Sequence, residues 1–176
     1  MTPRLTAFAA GMLVAGAAAL PAGAQDDQTL IETTEAAYEE DGRYYTEHDI
    51  PTYQVDEDGT VDWPTYSGFR RYHSECHVCH GPDGMGSTYA PPIKDGVMDM
   101  TYYDFVAVVA GGQKTDGGGG NSVMPALGTN KNVMCYIDDI YAYLRARGTG
   151  DVSRGRPSKK DRPSEAWREA ENACMG

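Results

Sequence analysis

The sequence predicts an all-α domain with a short appendage at each end. Three observations carry that prediction. Apolar side chains recur at three-to-four spacing over residues 66–79 and 132–147. Loops rich in Gly and Pro separate the helical segments. Alternation around a turn is confined to residues 52–63.

The elements follow in chain order. Met1–Arg4 is short and basic, residues 5–20 are apolar, and Ala22-Gly23-Ala24 is a small-x-small site. Residues 1–24 therefore predict a cleaved secretory signal peptide. The run is too short and too rich in Ala and Gly for a membrane span, and no other segment could serve as one. Residues 25–43 are an acidic arm, mobile or loosely helical, with little that could form a core. Residues 44–65 form an aromatic extension: Thr52-Tyr53-Gln54-Val55 and Thr60-Val61-Asp62-Trp63 flank Asp56-Glu57-Asp58-Gly59, which predicts a β-hairpin. Two strands alone are marginal in water, so Tyr44, Tyr45, Tyr53, Trp63 and Tyr66 are expected to pack on the helical domain.

That domain spans residues 66–148. Its first helix covers 66–79, with Gly68 and Tyr72 on one face, suited to a close crossing. Residues 101–110 are rich in β-branched residues, but the following Gly111-Gly112 favours a helix. The last helix covers 132–147, with Asn132 as N-cap and Gly148 as terminator. Residues 113–121, with four consecutive glycines, predict a flexible loop. The C-terminal extension, 149–176, begins extended and ends in a helix over 164–174 with Ser164 as N-cap.

The chemistry concentrates in Cys76-His77-Val78-Cys79-His80. Two thiols three residues apart, followed directly by an imidazole, form the attachment pattern of a c-type haem. One helical turn brings both thiols within reach of the two porphyrin vinyl groups, and His80 becomes the proximal iron ligand. A zinc site would need a second cysteine pair at similar spacing, and a redox dithiol would need a thioredoxin-like βαβ pattern. Neither is present in the sequence.

The sixth iron position has several candidates: Met85, Met98, Met100, Met124, Met134, Met175, His48 and His73. Met124 leads, because Pro125 stiffens the backbone beside its sulfur and Gly128 lets the chain turn back; Met98 and Met100 come next. A filled sixth position restricts the iron to gaining and losing one electron. An open one would suit a peroxidase or a gas-binding protein. Cys135 and Cys174 lie outside the motif, and in an oxidising compartment they predict a disulfide. No phosphate loop or nucleophile–base pattern accompanies them.

The net charge is −11, and loss of Arg4 with the signal makes the chain one unit more acidic. That disfavours nucleic acid and anionic membranes as partners and suits steering toward a basic patch.

These residues resemble a class I cytochrome c. Gly68, Tyr72, Cys76, Cys79 and His80 match its first helix and haem site, Met124-Pro125 its distal loop, and Ile140, Tyr143 and Leu144 its terminal helix. The stretch from Gly68 through the motif to Pro91, the segment 132–147 and Glu171-Asn172-Ala173-Cys174-Met175-Gly176 resemble a narrower group. These are the four-cysteine, methanol-metabolism-related c-type cytochromes. The resemblance implies one covalent haem c held by Cys76 and Cys79, with His80 and Met124 as axial ligands. It also implies a non-enzymatic, monomeric periplasmic electron carrier. Its donor would be a PQQ-dependent alcohol dehydrogenase of the lanthanide type, and its acceptor another cytochrome or a terminal oxidase. In that fold Gly68 and Tyr72 would touch Ile140 and Tyr143.

Overall fold

A computed structural model of the chain describes residues 33–115 and 122–176. The predicted signal peptide, the first part of the acidic arm (25–32) and the four-glycine run lie outside the described residues. In chain order the strands are β1 (Tyr38–Glu40), β2 (Arg43–Tyr45), β3 (Pro51–Thr52), β4 (Gln113–Thr115) and β5 (Ser122–Met124). The helices are α1 (Trp63–Glu75), α2 (His77–His80), α3 (Ile93–Gly96), α4 (Tyr102–Gly111), α5 (Lys131–Met134), α6 (Ile137–Thr149) and α7 (Glu165–Met175). No helix among the described residues is long and apolar enough to cross a membrane.

The core is built on the crossing of α1 and α6. Gly68 makes it close: a Cβ there would overlap the Asp139 carbonyl and lie 2.9 Å from Tyr143 Cβ. The sequence-based contact to Tyr143 is present, and the other contact falls on the Asp139 backbone, one residue before Ile140. Phe69 and Tyr72 each pack on the Tyr143 ring at 5.7 Å between centroids.

Caps explain where the helices begin. Asp62 accepts hydrogen bonds from the Thr65 amide (2.6 Å) and hydroxyl (2.8 Å), and Pro64 sits in the first turn. The first helix therefore starts at Trp63 rather than at 66. It breaks at Cys76 (φ −113°), so the single helix expected over 66–79 is two. Thr101 caps α4 by accepting from the Asp104 amide (3.1 Å), and residues 102–111 are helical, as the glycine terminator suggested. The last predicted helix is also divided, with a bend at Tyr136 (φ −129°). Its cap is Asn130, which accepts from the Asn132 amide at 2.9 Å. Gly148 does not terminate it. A Cβ on Gly148 would lie 2.5 Å from Met98 Sδ and 2.7 Å from the Lys94 carbonyl, so this glycine admits α3. Gly150, at φ +91°, ends the helix.

The hairpin expected over 52–63 is present but short: Val55 bridges Val61, and the Asp56 and Asp62 amides donate to the Thr60 and Gln54 carbonyls at 2.9 and 3.0 Å. The real sheet lies upstream, in the order β1-β2-β3, antiparallel, with Tyr38 opposite Tyr45 and Tyr44 opposite Thr52. Its tight turn is Asp41 (φ +50°) and Gly42 (φ +68°), the left-handed pair that a two-residue hairpin requires. Part of the predicted arm is thus a strand.

The N-terminal sheet and the C-terminal extension meet on α6 at the buried carboxylate of Asp139. Arg43 Nε from β2 donates to it at 2.7 Å and Trp167 Nε1 from α7 at 3.3 Å. Burial pushes the Asp139 carboxyl up to about 6, against the pull of the Arg43 guanidinium. Trp167 packs edge-on against Trp63, 5.6 Å between centroids. The Cys135–Cys174 disulfide ties α7 to the bend between α5 and α6.

Candidate functional site

The end of α1 and the turn of α2 set the motif's geometry. The amides of Cys79 and His80 donate to the Cys76 carbonyl at 3.2 and 3.0 Å, which places the two thiols one turn apart and His80 directly behind. Neither Cys76 nor Cys79 is in a disulfide. Tyr72, fully buried, clamps the loop that follows. Its hydroxyl donates to the Gly81 carbonyl (2.6 Å) and accepts from the Gly84 amide (3.0 Å). His80 Nδ1 donates to the Pro91 carbonyl at 3.2 Å. That bond fixes the tautomer and leaves Nε2 with its lone pair free for a metal.

A cavity of about 460 Å³ opens beside this imidazole. Its wall contains Cys76, Cys79 and His80; Met124 and Pro125 from the β5 end; Phe105 and Val109 from α4; and Ile137, Ile140 and Leu144 from α6. The volume and the mainly apolar lining are those of a site for an organic cofactor. Of the sixth-ligand candidates, Met124 alone lines it. Met98 faces Gly148. The His73 ring packs on Phe69 (4.3 Å), with Nε2 3.3 Å from Asp83 Oδ1. Neither extension contributes a lining residue, so among the described residues the β1–β3 sheet and the C-terminal segment leave the cavity to the helical domain.

The Cys76 thiol lacks the setting of a reactive or metal-binding thiolate. Burial, then the Glu75 carboxylate, pushes the Cys76 thiol up to about 12, so it is no thiolate at neutral pH. Among the described residues no group of three or more His, Cys, Asp and Glu side chains could hold a metal ion. What the residues do fit is haem: two thiols for the vinyl groups, an oriented imidazole, a thioether, and a dry pocket for the macrocycle.

Sequence reasoning missed the Pro91 carbonyl, Phe105 and Val109. The Pro91-Pro92 pair was a visible cue to a rigid segment near the motif. The two α4 residues had none beyond apolar spacing.

This fold and site define a protein that carries a covalently attached haem. The comparisons with known proteins agree. No protein-family model matches the chain. It is 60% identical over 136 residues to cytochrome c-553I of Paracoccus denitrificans, an alignment covering 77% of this chain and 60% of that protein. It is 34% identical over 100 residues to cytochrome c-555 of Methylococcus capsulatus, covering 56% of this chain and 75% of that one. The crystal structure of the c-type cytochrome XoxG from Methylobacterium extorquens AM1 superposes with a TM-score of 0.75 at 48% identity, covering 88% and 94% of the two chains. The chain belongs to the c-type cytochromes, and its cofactor is haem c.

Proposed function

We propose that this protein is a periplasmic one-electron carrier that takes electrons from a PQQ-dependent methanol or alcohol dehydrogenase of the lanthanide type. It passes them to another cytochrome or a terminal oxidase. The observation that carries this reading is the convergence of both motif thiols, the His80 imidazole and the Met124 thioether on one apolar cavity. In it Cys76 and Cys79 form the thioethers, and His80 and Met124 are the axial ligands. The bound haem supplies reversible electron transfer at iron. The chain orients the imidazole through Pro91, holds the motif loop through Tyr72, and excludes water with Phe105, Val109, Ile140 and Leu144. With His80 and Met124 both holding the iron, no position would be left for peroxide or a gas.

The core helices are α1, α4 and α6, and the segments 44–65 and 149–176 are extensions on that domain. The predicted signal peptide supports the periplasm. The methanol assignment is supported by the resemblance of the two flanking blocks and the second cysteine pair to the methanol-related cytochromes, and by the likeness to cytochrome c-553I and XoxG.

The test is stopped-flow reduction of the oxidised holoprotein by a PQQ-dependent, lanthanide-containing methanol dehydrogenase with methanol. Controls omit enzyme or alcohol. Fast, saturable, salt-sensitive reduction is expected. Slow reduction by the dehydrogenase beside fast reduction by a small chemical donor would remove this partner.

A further inference from the structure

We propose that Gly112, a residue outside the haem motif, is the positioning residue that seats Met124 at the iron. The proposal rests on the reading of Met124 as the sixth ligand. Gly112 ends α4, its amide donating to the Val108 carbonyl at 2.9 Å, and leads directly into β4. Its backbone lies at φ +73° and ψ 174°, a region that glycine occupies and other residues avoid. The space around it is filled by the methionine loop. A Cβ on Gly112 would lie 2.6 Å from the Met124 carbonyl oxygen, 2.7 Å from the Ala126 amide nitrogen and 3.0 Å from the Pro125 carbonyl carbon. All three are backbone atoms, so no side chain can swing aside to make room.

The same loop is stitched to the end of α4 at two further points. The Leu127 and Gly128 amides donate to the Val109 and Ala110 carbonyls at 3.0 and 3.1 Å. Upstream, Met124 stands opposite Gln113 in the β4–β5 ladder. Met124 is therefore held against α4 from both sides, and the separation is set at Gly112. Helix α4 lines the cavity through Phe105 and Val109, so moving the loop away from α4 moves the thioether relative to the pocket. A Cβ would force a shift on the order of 1 Å, more than a metal site tolerates without weakening.

A purely structural role as a helix terminator makes a different prediction, and Gly150 separates the two. Gly150 ends α6 at φ +91°, also left-handed, but a Cβ there would meet nothing within 4 Å. Gly150→Ala imposes a positive φ, in the milder left-handed region at ψ 0°, without the push on the loop, and Gly128→Ala imposes a push without a positive φ. Gly128→Ala gives a milder push, since its Cβ would meet the Ala110 carbonyl oxygen at 3.0 Å.

The experiment compares ferric holoproteins of the wild type, Gly112→Ala, Gly128→Ala, Gly150→Ala and Met124→Ala. The readouts are the near-infrared sulfur-to-iron charge-transfer band and the affinity for added imidazole. Gly112→Ala is expected to weaken or abolish the band and to bind imidazole about tenfold more tightly. Gly128→Ala should change both less, and Gly150→Ala neither. If Gly112→Ala yields no holoprotein, the contrast of Gly128→Ala with Gly150→Ala decides. A wild-type band that persists unchanged in Gly112→Ala and Gly128→Ala would overturn the role of Gly112. A wild type without the band, or Met124→Ala that retains it, would overturn the ligand assignment beneath it.

Discussion

A thioether in the axial set raises the potential of a His-ligated haem relative to a second imidazole. Met124→Ala is therefore expected to leave the haem attached through Cys76 and Cys79 while lowering the midpoint potential. An equilibrium redox titration against a mediator series checks it, and an unchanged potential would remove Met124 from the iron. Asp62 gives a second prediction for a single residue. It is buried, and burial pushes its carboxyl from 3.8 up to about 6, although the amides of Gln54 and Thr65 pull the other way. Because the folded value is raised, the stability that Asp62 contributes is full below about pH 4 and declines as pH rises through 6. The linkage is worth up to about 3 kcal/mol. Asp62→Asn should lower the unfolding midpoint most at acid pH, with the deficit narrowing by pH 7. A deficit that widens toward neutral pH would reverse the sign.

The crossing of α1 with α6 has no room for a side chain at Gly68, where a Cβ would overlap the Asp139 carbonyl. Gly68→Ala is expected to cost about 3 kcal/mol or more, measured as a fall in the urea midpoint, because two backbones must separate. That glycine was legible in the sequence, and so were the haem motif, the approach of Met124-Pro125 to the cavity and the existence of each long helix. The bends at Cys76 and Tyr136 were not. Apolar periodicity runs through both, and each bend is visible only as a backbone angle. The N-terminal sheet was misplaced for a different reason. Asp41-Gly42 is a strong two-residue hairpin signal, but it sits behind Glu39 and Glu40, and the acidic composition outweighed it. The alternation at 52–63 is real and the hairpin closes, but its ladder is only one bridge long, because the Asp62 carboxylate takes the Gln54 amide while it also caps α1. The seat of Met124 was half legible. The loop could be read, but its registration against Gly112 depends on a contact between backbones.

Over the whole molecule, the N-terminal sheet and the C-terminal extension brace the haem domain from outside the cavity. Arg43 and Trp167 converge on Asp139, and the Cys135–Cys174 bond closes a separation of 39 residues. A loop of this size contributes about 4 kcal/mol in the chain-entropy description. Replacing both cysteines by serine is expected to lower denaturant stability by up to that amount. The haem spectrum should not change, since neither cysteine lines the cavity. A changed axial signature would show that α7 shapes the site. In the proposed function one chain holds one haem, with His80 and Met124 as its iron ligands, and so carries one electron. The most direct measurement is a reductive titration of the ferric holoprotein, followed through the near-infrared sulfur-to-iron band, for wild type and Met124→Ala. One electron per chain, with the band present in wild type and absent in the variant, is the predicted result. An oxidised wild type that lacks the band and binds peroxide or nitric oxide without displacing a protein ligand would contradict it.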